Sequence, residues 1–419
     1  MDSAGTRAKS PRGMALESDV WGARAARGSP ARAEVETVEE YFSSATWIAI
    51  SNGTLGVNDT CAIERFHGLT TESDVREDLI RDGVSLVRRE RMERRDGVDG
   101  TDAFAGTTSQ DVVLERLVKC MRSLNSLGMD PSWIFMYDDA WRVAERFRSS
   151  AEDVFGGCVM NFDVLAWFVD PKHDKTTTAF APHRDRQPDD APKSFRADGT
   201  AKYNTVWFAL TDATPRNSCL YCLPRGIDPG YFDGDSDDIN APSPLELALK
   251  DKAAYQSIRA LPINAGGAVF FTHRLIHWGS VGDGADIPRL SLSFGFADPD
   301  FEPPYLKVHN RRVPTVAERA GLIAGQLIAY HERFPPSSDK LRQFKRIFDT
   351  VKSSFHETYV KKINFEYAKA TLNGENVAGD DGIDDALDAM LDNADDFEDD
   401  FDDDDTILDD RSTKKQRQF

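Results

Sequence analysis

The sequence predicts an α+β fold, mainly β with flanking helices, and three observations indicate it. The run Gly-Ala-Val-Phe-Phe at 267–271 is apolar throughout and has the length of a buried strand. Residues 289–294 alternate between polar and apolar side chains, so this strand has one face of each kind. The segments on both sides repeat apolar residues at helical spacing. A polar strand face turned into a β-barrel favours a lined cavity over a packed core.

The domain organisation follows from changes in composition along the chain. Residues 1–33 are rich in Ala, Arg, Gly and Ser and predict a disordered N-terminal segment. Residues 380–410 hold 17 Asp and Glu and no Lys or Arg, which predicts a disordered acidic tail over 374–419. The chain between them is expected to be a single domain over 34–367, with a helical part at 34–160, a β core at 161–304 and C-terminal helices at 305–367.

Individual elements can be predicted inside this domain. Apolar spacing predicts one short strand at 83–87 and helices at 34–41, 111–124, 137–147, 242–261, 316–334 and 339–359. The last helix carries an apolar stripe that is expected to pack on the core, with a dimer contact as the alternative; its members are Leu341, Phe344, Ile347, Phe348, Val351 and Phe355. The polar segments 187–202 and 228–240 are interpreted as long loops, and the first could close over an active site.

His183 and Asp185 form the first part of a metal-binding pattern. In an extended segment alternate side chains share a face, so these two residues project to the same side, about 7 Å apart at Cβ. A closed β-fold can bring a distant histidine beside them, and His277 is the preferred candidate. Two imidazoles and one carboxylate occupy one face of an octahedral Fe(II) and leave the opposite face for a cosubstrate and O2.

The choice of the third ligand depends on its neighbours in sequence. His273 and His277 both follow the apolar run, but Ser280 and Arg289 follow His277 at short range. His273 is then expected to be a satisfied core or supporting histidine. Apolar residues alternate with Arg289, which predicts a central strand with the guanidinium on its inward face. A fixed guanidinium there would suit a dicarboxylate anion.

Residues 163–304 resemble the phytanoyl-CoA dioxygenase family of iron- and 2-oxoglutarate-dependent oxygenases. The resemblance lies in Trp-Phe-Val-Asp-Pro at 167–171, Pro-His-Arg-Asp at 182–185, Val-Trp-Phe-Ala-Leu-Thr-Asp at 206–212, Asn-Ser-Cys-Leu with Leu-Pro at 217–224, and the block from 277 to 289. It implies a double-stranded β-helix, a cupin-like jelly roll of two antiparallel sheets.

The resemblance also implies roles for individual residues. It places Fe(II) on His183, Asp185 and His277, which would be the catalytic centre. The carboxylate of the cosubstrate 2-oxoglutarate would bind Arg289, assisted by Ser280, and Trp207 falls where the family has a pocket tryptophan.

The chain departs from the family pattern at three places. His-Trp-Gly-Ser at 277–280 is one residue longer than the usual His-Gly-Ser, so Ser291 is an equally good hydroxyl partner for the cosubstrate as Ser280. Arg184 stands where the family often has Gln between the first two ligands. Pro-Arg-Gly-Ile-Asp at 224–228 replaces the usual Pro-Gly-Ser-His.

The predicted activity is hydroxylation of an organic substrate, coupled to conversion of 2-oxoglutarate and O2 into succinate and CO2. Asp185 favours hydroxylation because related halogenases have a small residue there, which leaves room for a halide. Two alternatives remain open. One is a catalytically silent jelly roll that acts through its acidic tail, and the other is a metal-dependent hydrolase or isomerase, which would not need Arg289.

Composition restricts location and partners. The net charge of −20 argues against direct nucleic-acid binding, and no apolar run reaches the roughly 18 residues of a membrane span. Five cysteines without a hydrophobic signal segment favour a reducing compartment, the cytoplasm, with an organelle reached through the N-terminal segment as the alternative. Cys219 and Cys222 are expected to be buried strand residues rather than a zinc site. The expected partners are a small-molecule substrate and, for the acidic tail, a basic protein.

Overall fold

The structure is a computed structural model. It describes residues 35–60, 72–89, 110–172, 181–188, 190–236, 242–279, 281–282, 285–307, 313–332 and 335–374. The predictions for residues 1–33, for Ser280 and for the acidic tail beyond residue 374 lie outside the described residues.

The core consists of two antiparallel sheets. Its strands are β1 (Val84–Val87), β2 (Val159–Val169), β3 (Tyr203–Ala209), β4 (Leu220–Cys222), β5 (Arg259–Leu261), β6 (Ala268–Thr272), β7 (His277–Gly279) and β8 (Arg289–Ala297). One sheet has the order β1-β6-β3-β8-β2 and the other the order β5-β4-β7. The predicted fold class, a jelly-roll core with flanking helices, is confirmed.

Strand β8 shows why the alternating pattern predicts a cavity. Its apolar side chains, Leu290, Leu292 and Phe294, belong to the main hydrophobic core beneath the helices. Its alternate residues face the other way, and Arg289 and Ser293 line a cavity between the two sheets. Both faces of this strand are therefore covered, one by packed side chains and one by the site.

Strand β2 carries a bulge next to the cavity. Its register against β8 shifts between Met160 and Val164, and Phe162 within the shift has a φ of 68°, in the left-handed region. Bulges re-aim side chains beside active sites. Here the bulge precedes Asp163, which lines the cavity together with Leu165 and Trp167 of the same strand.

Helices precede β2, follow β8 and fill the connection between β4 and β5. They are α1 (Val38–Tyr41), α2 (Ser44–Ile50), α3 (Glu72–Asp82), α4 (Gln110–Ser126), α5 (Asp138–Val154), α6 (Gly230–Asp233), α7 (Pro244–Ala248), α8 (Lys252–Tyr255), α9 (Val316–Ala329), α10 (Ser338–Thr350) and α11 (Glu357–Gly374). Helix α5 packs on the five-stranded sheet through Phe147, whose ring contacts Phe208, Phe270 and Phe294. No helix within the described ranges combines the length and apolarity needed to cross a membrane.

Two helix predictions are wrong in part. Residues 242–261 are not one helix: α7 and α8 are short, and residues 259–261 form β5, because they pair with β4. The predicted helix 339–359 ends at Thr350, since Phe355 forms a β-bridge with Leu306 before α11 begins. In both places a strand partner far away in sequence overrides the local helical pattern.

The apolar stripe of the C-terminal helices packs inside the molecule, as the first interpretation predicted. Leu341, Phe344, Ile347 and Phe348 of α10 are buried in the main core, and α10 packs against α9. Cys219 and Cys222 are free and buried in the smaller core between the sheets, in keeping with buried strand cysteines.

Candidate active site

A cavity lies between the two sheets. The five-stranded sheet contributes Trp167, Trp207 and Arg289 to its wall, and the three-stranded sheet contributes Leu220 and His277. The wall thus combines aromatic surface with a few charged groups, as in most small-molecule sites.

His183, Asp185 and His277 meet in this cavity. Their potential ligand atoms all lie within 4.8 Å of one another, and within the described residues they are the one group of at least three such side chains placed to hold a metal ion. Nε2 of each histidine lies 3.6 Å from Oδ1 of Asp185. The spacing of the atoms therefore fits a single metal ion between them.

Backbone hydrogen bonds hold the two ligand-bearing segments together. His183 and His277 exchange N–H···O bonds of 3.1 and 3.0 Å, and the N–H of Asp185 donates to the carbonyl of His273 at 3.0 Å. The first segment forms only this isolated bridge rather than a regular strand. The pairing explains how a histidine almost a hundred residues later in the sequence reaches the His-x-Asp pair.

Local carbonyl groups set the tautomers of both histidines. Nδ1 of His183 lies 2.7 Å from the carbonyl oxygen of Ala181, and Nδ1 of His277 lies 3.1 Å from that of Leu275. A carbonyl oxygen only accepts, so each Nδ1 carries a proton and Nε2 is the ring nitrogen left to bind a metal. Such hydrogen bonds are usual for metal-binding histidines.

Asp185 is held as a carboxylate. The hydroxyl of Thr205 donates to its Oδ2 at 2.6 Å, while Oδ1 faces the two histidines. Burial alone would raise the pKa of Asp185, but His277, His183 and the Thr205 hydroxyl together hold it well below its ordinary value. The group is therefore available as an anionic ligand.

His273 lies outside this group of three. Its Nδ1 lies 3.0 Å from the carbonyl oxygen of Tyr203 and its Nε2 lies 2.8 Å from the hydroxyl of Ser194. Burial, reinforced by the nearby charge of Arg274, lowers the pKa of His273 to about 3, so its ring is neutral. Both ring nitrogens are engaged, and its carbonyl supports Asp185.

Arg289 lies in the same cavity and is fully buried. Within the described part of the chain, none of its three guanidinium nitrogens has a hydrogen-bond partner, and the buried hydroxyl of Ser291 has none either. The guanidinium lies 5.4 Å from the ring centroid of Trp207, and burial lowers its pKa to about 10. A buried cation without a partner is costly to the fold, and an anionic ligand would satisfy it.

Of the two candidate serines, the structure describes only Ser291. Ser291 lies two residues after Arg289 on β8, so the strand pleat directs both side chains to the same face. Ser280 follows β7 and lies outside the described residues, so its side chain has no described position.

A polar wall at the other end of the cavity was missed by sequence reasoning. Asp163 accepts hydrogen bonds from Arg186 at 2.8 Å, Tyr203 at 3.0 Å, Tyr330 at 3.1 Å and Gln326 at 2.5 Å. An alternation signal existed for Asp163, which shares a strand face with Leu165 and Trp167. Tyr330 follows α9, outside the β core, and its sequence context gives no such signal.

The two long loops pack behind the metal-binding group instead of lining the cavity. Ser194 and Phe195 of the first loop contact His273. The second loop forms α6, and its Asp228 and Asp235 form ion pairs with Arg184. The expectation that the first loop closes over the active site is therefore not met, because none of its described residues borders the cavity.

One family model matches part of the chain. Residues 89–281 match the family model of phytanoyl-CoA dioxygenase (PhyH), and the match includes His183, Asp185, Trp207 and His277. The resemblance predicted from the sequence is confirmed. No curated protein matches the chain significantly.

Solved structures are similar only at a distance. The epimerase SnoN from nogalamycin biosynthesis is 19% identical, with 54% of this chain and 83% of that chain covered and a TM-score of 0.34. AviO1 from Streptomyces viridochromogenes Tue57 is 16% identical over 57% and 97%, with a TM-score of 0.37. HygX from Streptomyces hygroscopicus, with nickel and 2-oxoglutarate bound, is 12% identical over 55% and 88%, with a TM-score of 0.34. Similarities this weak support no argument about the site.

Proposed function

We propose that this chain is an iron- and 2-oxoglutarate-dependent oxygenase, like the phytanoyl-CoA dioxygenase family whose model matches residues 89–281, and that it hydroxylates a small organic substrate with release of succinate and CO2. His183, Asp185 and His277 are its proposed iron ligands, and Arg289 is its proposed anchor for the cosubstrate.

Arg289 is the observation that carries this proposal. Iron alone would explain the histidines and the carboxylate, but it would not explain a buried, unpaired guanidinium among the described residues of the same cavity. A dicarboxylate accounts for both, because one end can reach a metal while the other pairs with the guanidinium. Two parallel N–H···O bonds from an arginine fork match a carboxylate geometrically.

The neighbours of Arg289 complete the proposed cosubstrate site. The ring of Trp207 lies on one side of the guanidinium, at cation–π distance. The Ser291 hydroxyl can donate a further hydrogen bond to the same carboxylate, because it is buried on the same strand face and has no partner among the described residues. Ser280 is the alternative donor that the family pattern implies.

The metal ligands suit Fe(II) in charge and chemistry. Nε2 of His183, Nε2 of His277 and the Asp185 carboxylate would together supply a 2-His-1-carboxylate ligand set for iron. Bound iron supplies the activation of O2 that couples oxidative decarboxylation of 2-oxoglutarate to substrate oxidation. The protons on both Nδ1 atoms and the Thr205 hydroxyl fix the orientation of all three ligands.

Hydroxylation is the outcome that Asp185 favours. As a metal ligand, the Asp185 carboxylate would occupy the place that a halide would otherwise take. The substrate is proposed to enter beside Trp167, Ser293 and Tyr330, which border the same cavity. These residues offer an aromatic surface and two hydroxyl groups, which suits a small molecule.

The proposed location and tail function rest on composition. Four described cysteines are free and buried, which supports a reducing compartment, proposed to be the cytoplasm. The acidic tail over 374–419 is proposed to bind a basic protein, because 17 Asp and Glu are concentrated between residues 380 and 410.

The proposal is tested by turnover of 2-oxoglutarate. Purified protein, loaded with Fe(II) in air and supplied with 2-oxoglutarate and a metabolite extract, should form succinate and a hydroxylated product. His277→Ala protein should form neither. If the parent protein forms no succinate in any extract, the silent jelly roll is the better interpretation. A product formed without consumption of 2-oxoglutarate would indicate a hydrolase or isomerase.

A further inference from the structure

Two arginines lie close in sequence to the proposed metal ligands but do not line the cavity. Arg184 stands between His183 and Asp185, and Arg274 precedes His277 by three residues. Both side chains are almost completely buried, with 1% of each exposed. They meet Asp228 and Asp235 of the second loop, and we call these four residues the arginine–aspartate cluster.

Every N–H group of the Arg184 guanidinium is used within this cluster. It forms a fork with Asp228, through Nη1 to Oδ2 and through Nη2 to Oδ1 at 2.9 Å. A second fork reaches Asp235, through Nε at 2.8 Å and Nη2 at 2.9 Å. The fifth N–H group donates to the carbonyl of Arg274 at 2.5 Å. Such complete use of five donors fixes the side chain in one orientation.

The two arginines also connect the two ligand-bearing segments in both directions. Arg184, in the segment of His183 and Asp185, donates to the carbonyl of Arg274, in the segment of His277. Arg274 in turn donates to the carbonyl of Arg186, in the segment of His183 and Asp185, at 3.3 Å. Arg274 further donates to the carbonyls of Gly230 at 2.8 Å and Tyr231 at 3.2 Å in α6. The cluster therefore joins three segments that are distant in sequence.

The charges of the cluster balance, with two guanidinium groups and two carboxylates. Burial alone would lower the pKa of Arg184, but hydrogen bonds and attraction from Asp228 and Asp235 raise it. Removal of one member leaves an uncompensated charge in a buried place, which is strongly destabilising locally. This destabilisation would affect the two segments that carry the proposed metal ligands.

We propose that the arginine–aspartate cluster is a positioning device for the metal site: it locks the His183–Asp185 segment against the segment of His277, so that the three ligands are held in place before metal arrives. This inference rests on the proposed function, because it assumes that these three residues bind a metal. None of the four cluster residues touches the cavity, so all of them act through the ligands.

The affinity for cobalt(II), a redox-stable substitute for Fe(II), tests the proposal in full-length protein. Arg184→Gln and Asp228→Asn should each raise the dissociation constant for cobalt by about 10- to 100-fold, the usual loss when supporting partners of metal ligands are removed. Arg184→Lys should recover only part of this loss, because an ammonium keeps the charge but cannot form both forks.

A glycine provides a second variant that changes no charge. A Cβ at Gly230 would lie 2.8 Å from Oδ1 of Asp235 and 2.9 Å from Nη2 of Arg184. Gly230→Ala should therefore displace the cluster and weaken cobalt binding while the protein stays folded. Gly226→Ala, four residues before Gly230 and with open space around its Cβ, is the matched control and should bind cobalt like the parent protein.

A variant of another buried arginine distinguishes a positioning role from a general contribution to stability. Arg319 is fully buried and bonded to Asp138 and to backbone carbonyls, but it lies outside the cavity wall. Arg319→Gln should lower the melting temperature without changing the cobalt dissociation constant. Unchanged cobalt affinity in Arg184→Gln and Gly230→Ala, or an equal loss in Arg319→Gln, overturns the positioning role alone. A parent protein that binds no cobalt, or a His277→Ala variant that binds it equally well, overturns the metal site and the inference with it.

Discussion

Arg289 is the residue whose environment is hardest to explain without a ligand. A guanidinium is rarely buried without a partner, because its charge then loses hydration and gains nothing in return. Here a neighbouring serine hydroxyl is unsatisfied as well among the described residues, on the same strand face. The two orphaned groups together indicate a site for an anion.

Replacement of Arg289 should selectively weaken binding of 2-oxoglutarate. Loss of one partner of a desolvated, hydrogen-bonded charge pair costs about 2–5 kcal/mol, which corresponds to roughly 30- to several-thousand-fold weaker binding. We expect this loss for Arg289→Ala and a smaller one for Arg289→Lys, measured as dissociation constants for 2-oxoglutarate on metal-loaded protein. Affinity for the metal alone should not change. Equal binding of 2-oxoglutarate by Arg289→Ala and parent protein would remove Arg289 from the site.

The two histidines of the distal segment should behave differently. His277→Ala should abolish iron binding, because it removes one of three ligand atoms. His273→Ala should keep the metal but lose stability, because it removes a buried ring together with its hydrogen bonds to Tyr203 and Ser194. Iron content after desalting and the melting temperature distinguish the two variants. If His277→Ala retained iron and His273→Ala lost it, His273 rather than His277 would be the iron ligand.

At the scale of elements, the strands could be predicted better than the helix boundaries. The run at 267–271 and the alternation at 289–294 became β6 and β8, since both are central strands whose two faces are covered. The segment 259–261 could not be predicted, because its strand conformation depends on pairing with β4 about forty residues earlier. Local periodicity contains no information about such a partner.

Helix α9 depends on Gly321 and Gly325 for close packing. A Cβ at Gly321 would collide with the side chain of Val351 and lie 3.1 Å from Cε2 of Phe355. Gly321→Ala should therefore lower the free energy of unfolding by about 1–2 kcal/mol, because overpacking outweighs the gain of roughly 1 kcal/mol in helix propensity. Chemical denaturation measures this change, and cobalt affinity should stay as in the parent protein. A stabilised Gly321→Ala protein would show that α9 and the following helices pack less tightly than described.

At the scale of the whole molecule, the acidic tail should be dispensable for turnover. Deletion of residues 380–419 removes a segment with 17 Asp and Glu in its first 31 positions, and a composition of this kind supports few native contacts. We expect unchanged succinate formation and an unchanged melting temperature. Loss of either would mean that the tail contacts the folded domain.

Sequence reasoning predicted the fold class and the family, and it proposed the three residues that the structure brings together. The His-x-Asp spacing works because alternation fixes which side chains share a face, even though this segment forms only a bridge. The supporting groups could not be predicted. Arg184 appeared only as a departure from the family pattern, and its partners lie 44 and 51 residues away in a loop of irregular structure.

The central claim is that one cavity binds iron and 2-oxoglutarate together. It is tested most directly by calorimetric titration of 2-oxoglutarate into the protein without oxygen, once with Fe(II) bound and once without metal. We predict one 2-oxoglutarate per chain, bound tightly only when iron is present, because the metal and Arg289 hold opposite ends of the same molecule. Binding of equal strength without metal, or no binding in either state, would contradict the claim.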